Sequence, residues 1–268
     1  MQEIVVPVDD SAAAWKAAEV GASLAAVLAA DLTLLTVIDP DTHADASKAL
    51  LERGAEQLDR GDVRIGTALR VADHSVAEEI EAYVEARPGA VLVMATHGRG
   101  RSSALVGSVA DDVLGRTFGP IMLIGPKVDA AAFSGPVIVA VDGSELSERA
   151  APLGVAWAIE LGVSPWIVHC LIDEHDFPAD VDESAYVASL AQTYTEQSKH
   201  QVEFEELHGE HPETAVPRFA ESSEASMIVA TTHGRTGMRR LTMGSVVSRF
   251  VRHATCPVFV ERPPHAAE

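Results

Sequence analysis

One internal repeat constrains this chain more than any other feature of its sequence. Ile4–Ser11 (IVVPVDDS) returns as Val137–Ser144 (VIVAVDGS), which sets Asp9 opposite Asp142. Leu34–Pro40 (LLTVIDP) returns as Ile167–Asp173 (IVHCLID), and Val93–Gly100 (VMATHGRG) as Val229–Gly237 (VATTHGRTG). Gly107–Val109 returns as Gly244–Val246, and Pro120–Pro126 (PIMLIGP) as Pro257–Pro263 (PVFVERP). The order is kept throughout, and the spacing grows only from 133 to 137 residues. Two copies of one unit are therefore expected, a first domain over residues 1–127 and a second over 136–268, with the small-residue stretch 128–135 as linker.

Within each copy, apolar runs of strand length alternate with helical patterns, the signature of βαβ units around a parallel sheet buried on both faces. In the first copy the pattern predicts strands at Glu3–Val8, Leu32–Ile38, Val63–Val71, Ala90–Ala95 and Ile121–Ile124. Helices are predicted at Ser11–Ala30, Thr42–Leu58, Val76–Ala86 and Gly107–Thr117. The second copy repeats the scheme, with strands at Pro136–Val141, Ser164–Ile172, Gln201–Leu207, Met227–Thr231 and Val258–Val260. Right-handed crossovers then make each copy an α/β, Rossmann-like, doubly wound sheet of five parallel strands.

Ligands of open α/β sheets bind outside the carboxyl ends of the strands, where the strand order reverses. Asp9 and Asp142 stand just past the first strand of each copy, followed by Ser11 or Ser144. Two roles suit them: capping the next helix, for which Asp and Ser are preferred, or meeting a ligand. The loop after the fourth strand reads THGRGRSS from Thr96, then Gly107-Ser108-Val109; its counterpart reads THGRTG from Thr232, then Gly244-Ser245-Val246. Glycine ahead of a helix lets backbone N–H groups approach a ligand, and the helix start adds partial positive charge.

Charge bears on the same loops. The chain carries 20 Lys and Arg against 40 Asp and Glu, a net charge of −20, which disfavours nucleic acid and anionic membrane as partners. Yet Met227–His253 holds five arginines and no acid, and Ala95–Leu105 holds Arg99 and Arg101 and no acid. Positive glycine-rich loops in an acidic chain suit one compact polyphosphate. The two cysteines, Cys170 and Cys256, stand alone with no metal-ligand spacing. The opening MQEIVVPVDD lacks the basic flank and apolar run of a secretory signal, so a cytoplasmic protein is expected.

These residues resemble the universal stress protein family, and the resemblance covers nearly the whole chain as a tandem pair. Many members of that family bind ATP through a pattern G-x-x-G-x9-G-[S/T] after the fourth strand. Gly234, nine residues, then Gly244-Ser245 match it in the second copy, while the first glycine falls on Thr231. In the first copy that glycine falls on Ala95, and eight residues separate Gly98 from Gly107. The resemblance implies Asp9 and Val37, and Asp142 and Cys170, at the adenosine end, with Ala95 or Thr231 near the ribose. Gly98, Gly107, Ser108 and Val109, and Gly234, Gly244, Ser245 and Val246, would surround the phosphates, with Arg99 and Arg235 as further contacts. It implies ATP as the ligand, alone or with Mg, and pairing of the two copies through Ile121–Ile124 and Val258–Val260, with a homodimer as a further association.

No G-x-x-x-x-G-K-[ST] and no G-x-G-x-x-G after the first strand are present, so neither the usual phosphate loop nor a dinucleotide fingerprint is expected. His97 and His233 recur without a partner that would make a catalytic constellation. A stress-response regulator that binds nucleotide is expected, with a non-nucleotide scaffold or an enzyme of the adenine-nucleotide-hydrolase group as the other readings.

Overall fold

The computed structural model describes residues 3–59, 61–96, 107–116, 119–129, 131–171, 183–208, 211–231 and 244–261. Strands β1 (Glu3–Pro7), β2 (Asp31–Ile38), β3 (Ile65–Val71), β4 (Ala90–Ala95) and β5 (Ile121–Ile124) alternate with helices α1 (Ala12–Leu28), α2 (Ala44–Leu58), α3 (Val76–Glu85) and α4 (Ser108–Arg116). The second copy follows with β6 (Val137–Val141), α5 (Glu145–Glu148), α6 (Ala150–Leu161), β7 (Pro165–Leu171), α7 (Glu183–Ser198), β8 (Glu203–His208), α8 (Pro212–Ser222), β9 (Met227–Thr231), α9 (Ser245–His253) and β10 (Val258–Glu261). The elements stand where the repeat places them, with ends shifted by one or two residues.

One departure has a clear cause. The first copy has a single 17-residue helix after β1, whereas the second has α5 and α6, broken at Arg149. Pro152 has no N–H to give the carbonyl of Glu148, four residues earlier, so the helix cannot run through, and proline is tolerated only in the first turn of α6.

All ten strands lie in one sheet, in the order β3-β2-β1-β4-β5-β10-β9-β6-β7-β8. Each half is parallel, as expected of strands joined by helical crossovers. At the centre β5 and β10 pair antiparallel, with Met122 opposite Phe259 and Leu123 opposite Val258. Strand order reverses between β1 and β4, and again between β6 and β9. Because the central pair is antiparallel, the carboxyl ends of the two halves lie at opposite ends of the sheet.

The period-two alternation of each strand divides the core into two layers. Ile4, Val6, Met122, Val139, Val229 and Phe259 face one layer with α1, α2, α6 and α7; Val5, Leu92, Leu123, Ile138, Ile228 and Val258 face the other with α3, α4, α8 and α9. Both layers draw on both halves. Phe259 is fully buried and meets Trp157 of α6 edge-on, ring centroids 4.8 Å apart. Burying one side chain of that size stabilises by about 2–3 kcal/mol. Between β5 and β6 the chain is anchored rather than loose: Val128 and Phe133 are buried, and Ser226 donates to the Gly135 carbonyl at 2.6 Å. Among the described residues no helix is long and apolar enough to cross a membrane.

Candidate functional site

At the carboxyl end of β1 the backbone is fixed by its neighbour: Val8 N donates to the Leu35 carbonyl at 2.8 Å, and Thr36 Oγ1 donates to the Val8 carbonyl at 2.9 Å. The chain then turns. Asp9 Oδ1 accepts from Ser11 N at 2.9 Å, and Ser11 Oγ accepts from Ala14 N at 3.2 Å, capping α1. Capping therefore falls to the serine, and the aspartate closes the turn ahead of it.

The second copy builds the same corner with a bond into the following helix as well. Asp142 Oδ1 accepts from Ser144 N at 3.0 Å and Ser144 Oγ at 2.6 Å, while Asp142 N donates to Ser147 Oγ at 3.0 Å. Ser144 Oγ accepts from Ser147 N and so caps α5. Gly143, at φ 81°, supplies the left-handed turn residue that this tighter corner requires.

Val37 and Cys170 hold equivalent half-buried places near the ends of β2 and β7, in register with Arg70 and Leu207. Ala95 ends β4 beside Ile124, and Thr231, buried, ends β9 beside Glu261. Thus the first-, second- and fourth-strand residues expected at the adenosine end share the carboxyl edge of each half-sheet, at its switch point. Gly98, Arg99, Gly234 and Arg235 lie outside the described residues.

The helix starts are alike in form and unlike in charge. Gly107 N donates to the Thr96 carbonyl at 2.6 Å, tying the start of α4 to the end of β4. Ser108 is exposed, and Val109 is 37% exposed. Gly244 caps α9 with φ −58°, an ordinary value, so no backbone strain calls for glycine there. Ser245 is exposed and Val246 is 38% exposed. The first turn of α4 carries Asp111, followed by Asp112; burial raises the Asp111 pKa, and the neighbouring carboxylate adds to it. Ser248 and Arg249 take those places in α9, where Ser248 Oγ donates to the Gly244 carbonyl and Arg249 pairs with Glu213. A phosphate at the start of α4 would meet like charge in that helix's own first turn, whereas the first turn of α9 carries no acid.

Two features were not anticipated from the sequence. Glu261 prolongs β10 by one residue into the corner beside Thr231, where its Oε2 is buried and has no hydrogen-bond partner among the described residues. Burial pushes its carboxyl pKa up, and Arg149 draws it partway back. The interruption of the apolar run Val258–Val260 by an acid was the available signal. The second feature is the bond from Tyr186 to Glu148, which joins α7 to α5 across 38 positions and has no local sequence signature. Among the described residues no three His, Cys, Asp or Glu gather to hold a metal ion.

The sequence pattern of the universal stress protein family matches residues 1–125 and again residues 134–262. Universal stress protein Rv2623 of Mycobacterium tuberculosis is 26% identical over 292 aligned positions, covering 97% of this chain and 96% of its own length. A universal stress protein of Mycolicibacterium smegmatis is 30% identical over 183 residues, covering 65% of this chain and 62% of its own length. A crystal structure of a universal stress protein from Archaeoglobus fulgidus superposes with a TM-score of 0.73 at 19% identity, over 97% of this chain and 98% of that one. A Pseudomonas aeruginosa protein of unknown function gives 0.63 at 18% identity, over 98% and 93%. At these identities the structural likeness is one of fold, and the two sequence matches carry the assignment: the chain belongs to the universal stress protein family, as a tandem pair of its units.

Proposed function

We propose that this chain binds adenine nucleotide, ATP with or without Mg, at the carboxyl ends of its strands and acts as a stress-response regulator rather than a fast enzyme. The observation that carries the reading is the convergence, at the switch point of each half-sheet, of an acid-bearing turn and a Gly-Ser-Val helix start. Asp9 or Asp142 would accept from the adenosine end, and the N–H groups of Ser108 and Val109, or Ser245 and Val246, would face the phosphates. The residues fit a nucleotide better in the second copy, whose α9 begins without an acid.

The boundaries proposed are domains at 1–127 and 136–268, with 128–135 between them; the ten-strand sheet supports pairing of the two within one chain. A cytoplasmic location and a homodimer belong to the same proposal. The test is calorimetric titration of the purified chain with ATP, together with analysis of nucleotide released on denaturation. Gly244→Glu, which sets a carboxylate at the helix start, is expected to abolish binding in the second copy.

A second reading has its own support in the first copy, where Asp111 and Asp112 and the substitution at Ala95 favour a pocket that no longer takes nucleotide. Under it the chain is a scaffold acting through protein contacts. Intact folding with no ATP binding at millimolar concentration would favour that reading.

A further inference from the structure

The two copies hold the turn after their first strand in different ways. In the first, Trp15 of α1 packs on Gly54 of α2 so closely that a Cβ on Gly54 would stand 2.0 Å from the indole Cη2. The equivalent of Trp15 in the second copy is Glu148, the last residue of α5. Tyr186 of α7 donates its hydroxyl to Glu148 Oε1 at 2.8 Å.

A helix of four residues, cut off from α6 at Arg149, is too short to hold itself. Its bonds instead form a closed ring through the acid. Asp142 N donates to Ser147 Oγ, Ser147 Oγ donates to the Ser144 carbonyl at 2.9 Å, and Ser144 N and Oγ both donate to Asp142 Oδ1. Ser147 and Glu148 are consecutive, so whatever fixes Glu148 fixes the ring and the carboxylate in it. Tyr186 is itself held, its ring edge-on to buried His169 at 5.7 Å. Burial, then the Glu148 and Asp142 carboxylates, push the phenol pKa up, which keeps the hydroxyl a donor.

We propose that Tyr186, acting through Glu148, is a positioning residue for Asp142 and so sets the affinity of the second copy for the adenosine part of its ligand. This inference rests on the nucleotide reading given above. It makes α7 a control element for the second site, through a hydrogen bond where the equivalent helix of the first copy, α2, meets Trp15 by an apolar contact.

The experiment is titration with ATP and with AMP in a Gly107→Glu background, which silences the first copy so that the second reports alone. Tyr186→Phe and Glu148→Leu are each expected to weaken both ligands about fivefold to tenfold, part of what a charge-assisted hydrogen bond is worth. The double variant falls no further than the weaker single, because both remove one bond. Glu148→Gln, whose amide carbonyl still accepts from the phenol, stays within about twofold of the parent. Parent-like binding by Tyr186→Phe, or a loss in Glu148→Gln as large as in Glu148→Leu, would overturn the inference. Absence of adenine-nucleotide binding in the unsubstituted chain is a different result: it removes the nucleotide reading and this inference with it.

Discussion

A Cβ built on Gly125 would stand 1.9 Å from the carbonyl oxygen of Val251, so the chain leaving β5 in the first copy lies directly against α9 of the second. The contact is backbone on backbone and has no flexible side chain to yield. Gly125→Ala should therefore force the helix away from the central strand pair and destabilise the chain by about 1–3 kcal/mol. Gly66→Ala is the control, since its Cβ would meet only ordinary neighbours at 3.6 Å and beyond. Thermal or denaturant unfolding measures both; a Gly125→Ala chain as stable as Gly66→Ala would mean that the halves do not meet as described.

Ala29 and Gly162 close the first long helix of their respective copies in the left-handed region, at φ 50° and 69°. Alanine pays there for a Cβ that glycine lacks. Ala29→Gly should stabilise the chain by about 1 kcal/mol, while Gly162→Ala should destabilise it by a similar amount. Opposite shifts in the unfolding midpoint are expected, and shifts of the same sign would contradict the backbone geometry.

Glu261 predicts a pH dependence. Its carboxyl pKa is raised in the folded chain from the ordinary 4.5, so the fold holds that proton more firmly than the unfolded chain does. Its contribution is fully present below pH 4.5 and is lost as pH rises through the raised value. Glu261→Gln should accordingly raise the thermal midpoint at pH 7 by about 1–2 °C, with the gain disappearing near pH 4. An equal gain at both pH values would assign the effect to packing rather than to the buried carboxylate.

Cys256 is buried, and its thiol pKa is pushed up to about 12. Almost none of it is thiolate at pH 8, and the thiolate is the reactive form. In a Cys170→Ser chain, a thiol reagent should find no reactive group in the native protein and one after unfolding. Rapid native reaction would show that the α9–β10 corner opens readily.

Most of the fold was legible in the repeat because strands such as Ile4–Val6 and Val137–Val139 are apolar on both faces, and a chain that twice buries the same pattern leaves little choice of architecture. β8 was legible only by analogy with β3, since an edge strand reading EFEELH carries no apolar run. The break between α5 and α6 is encoded by Pro152, a signal that the analogy with the unbroken helix of the first copy hides. At the site, the spacing of Asp9, Asp142 and the Gly-Ser-Val starts put them at the carboxyl edge of each half-sheet, where the structure has them. The tether from Tyr186 and the intrusion of Glu261 depend on which strands and helices become neighbours, which spacing along the chain does not encode.

ATP titration of three chains distinguishes the two helix starts as proposed nucleotide sites. The parent and Gly107→Glu should bind with similar affinity through the second copy, while Gly244→Glu should lose at least about tenfold, the loss expected when a carboxylate is set against bound phosphate. Unchanged affinity in Gly244→Glu, with the parent binding ATP, would contradict the account.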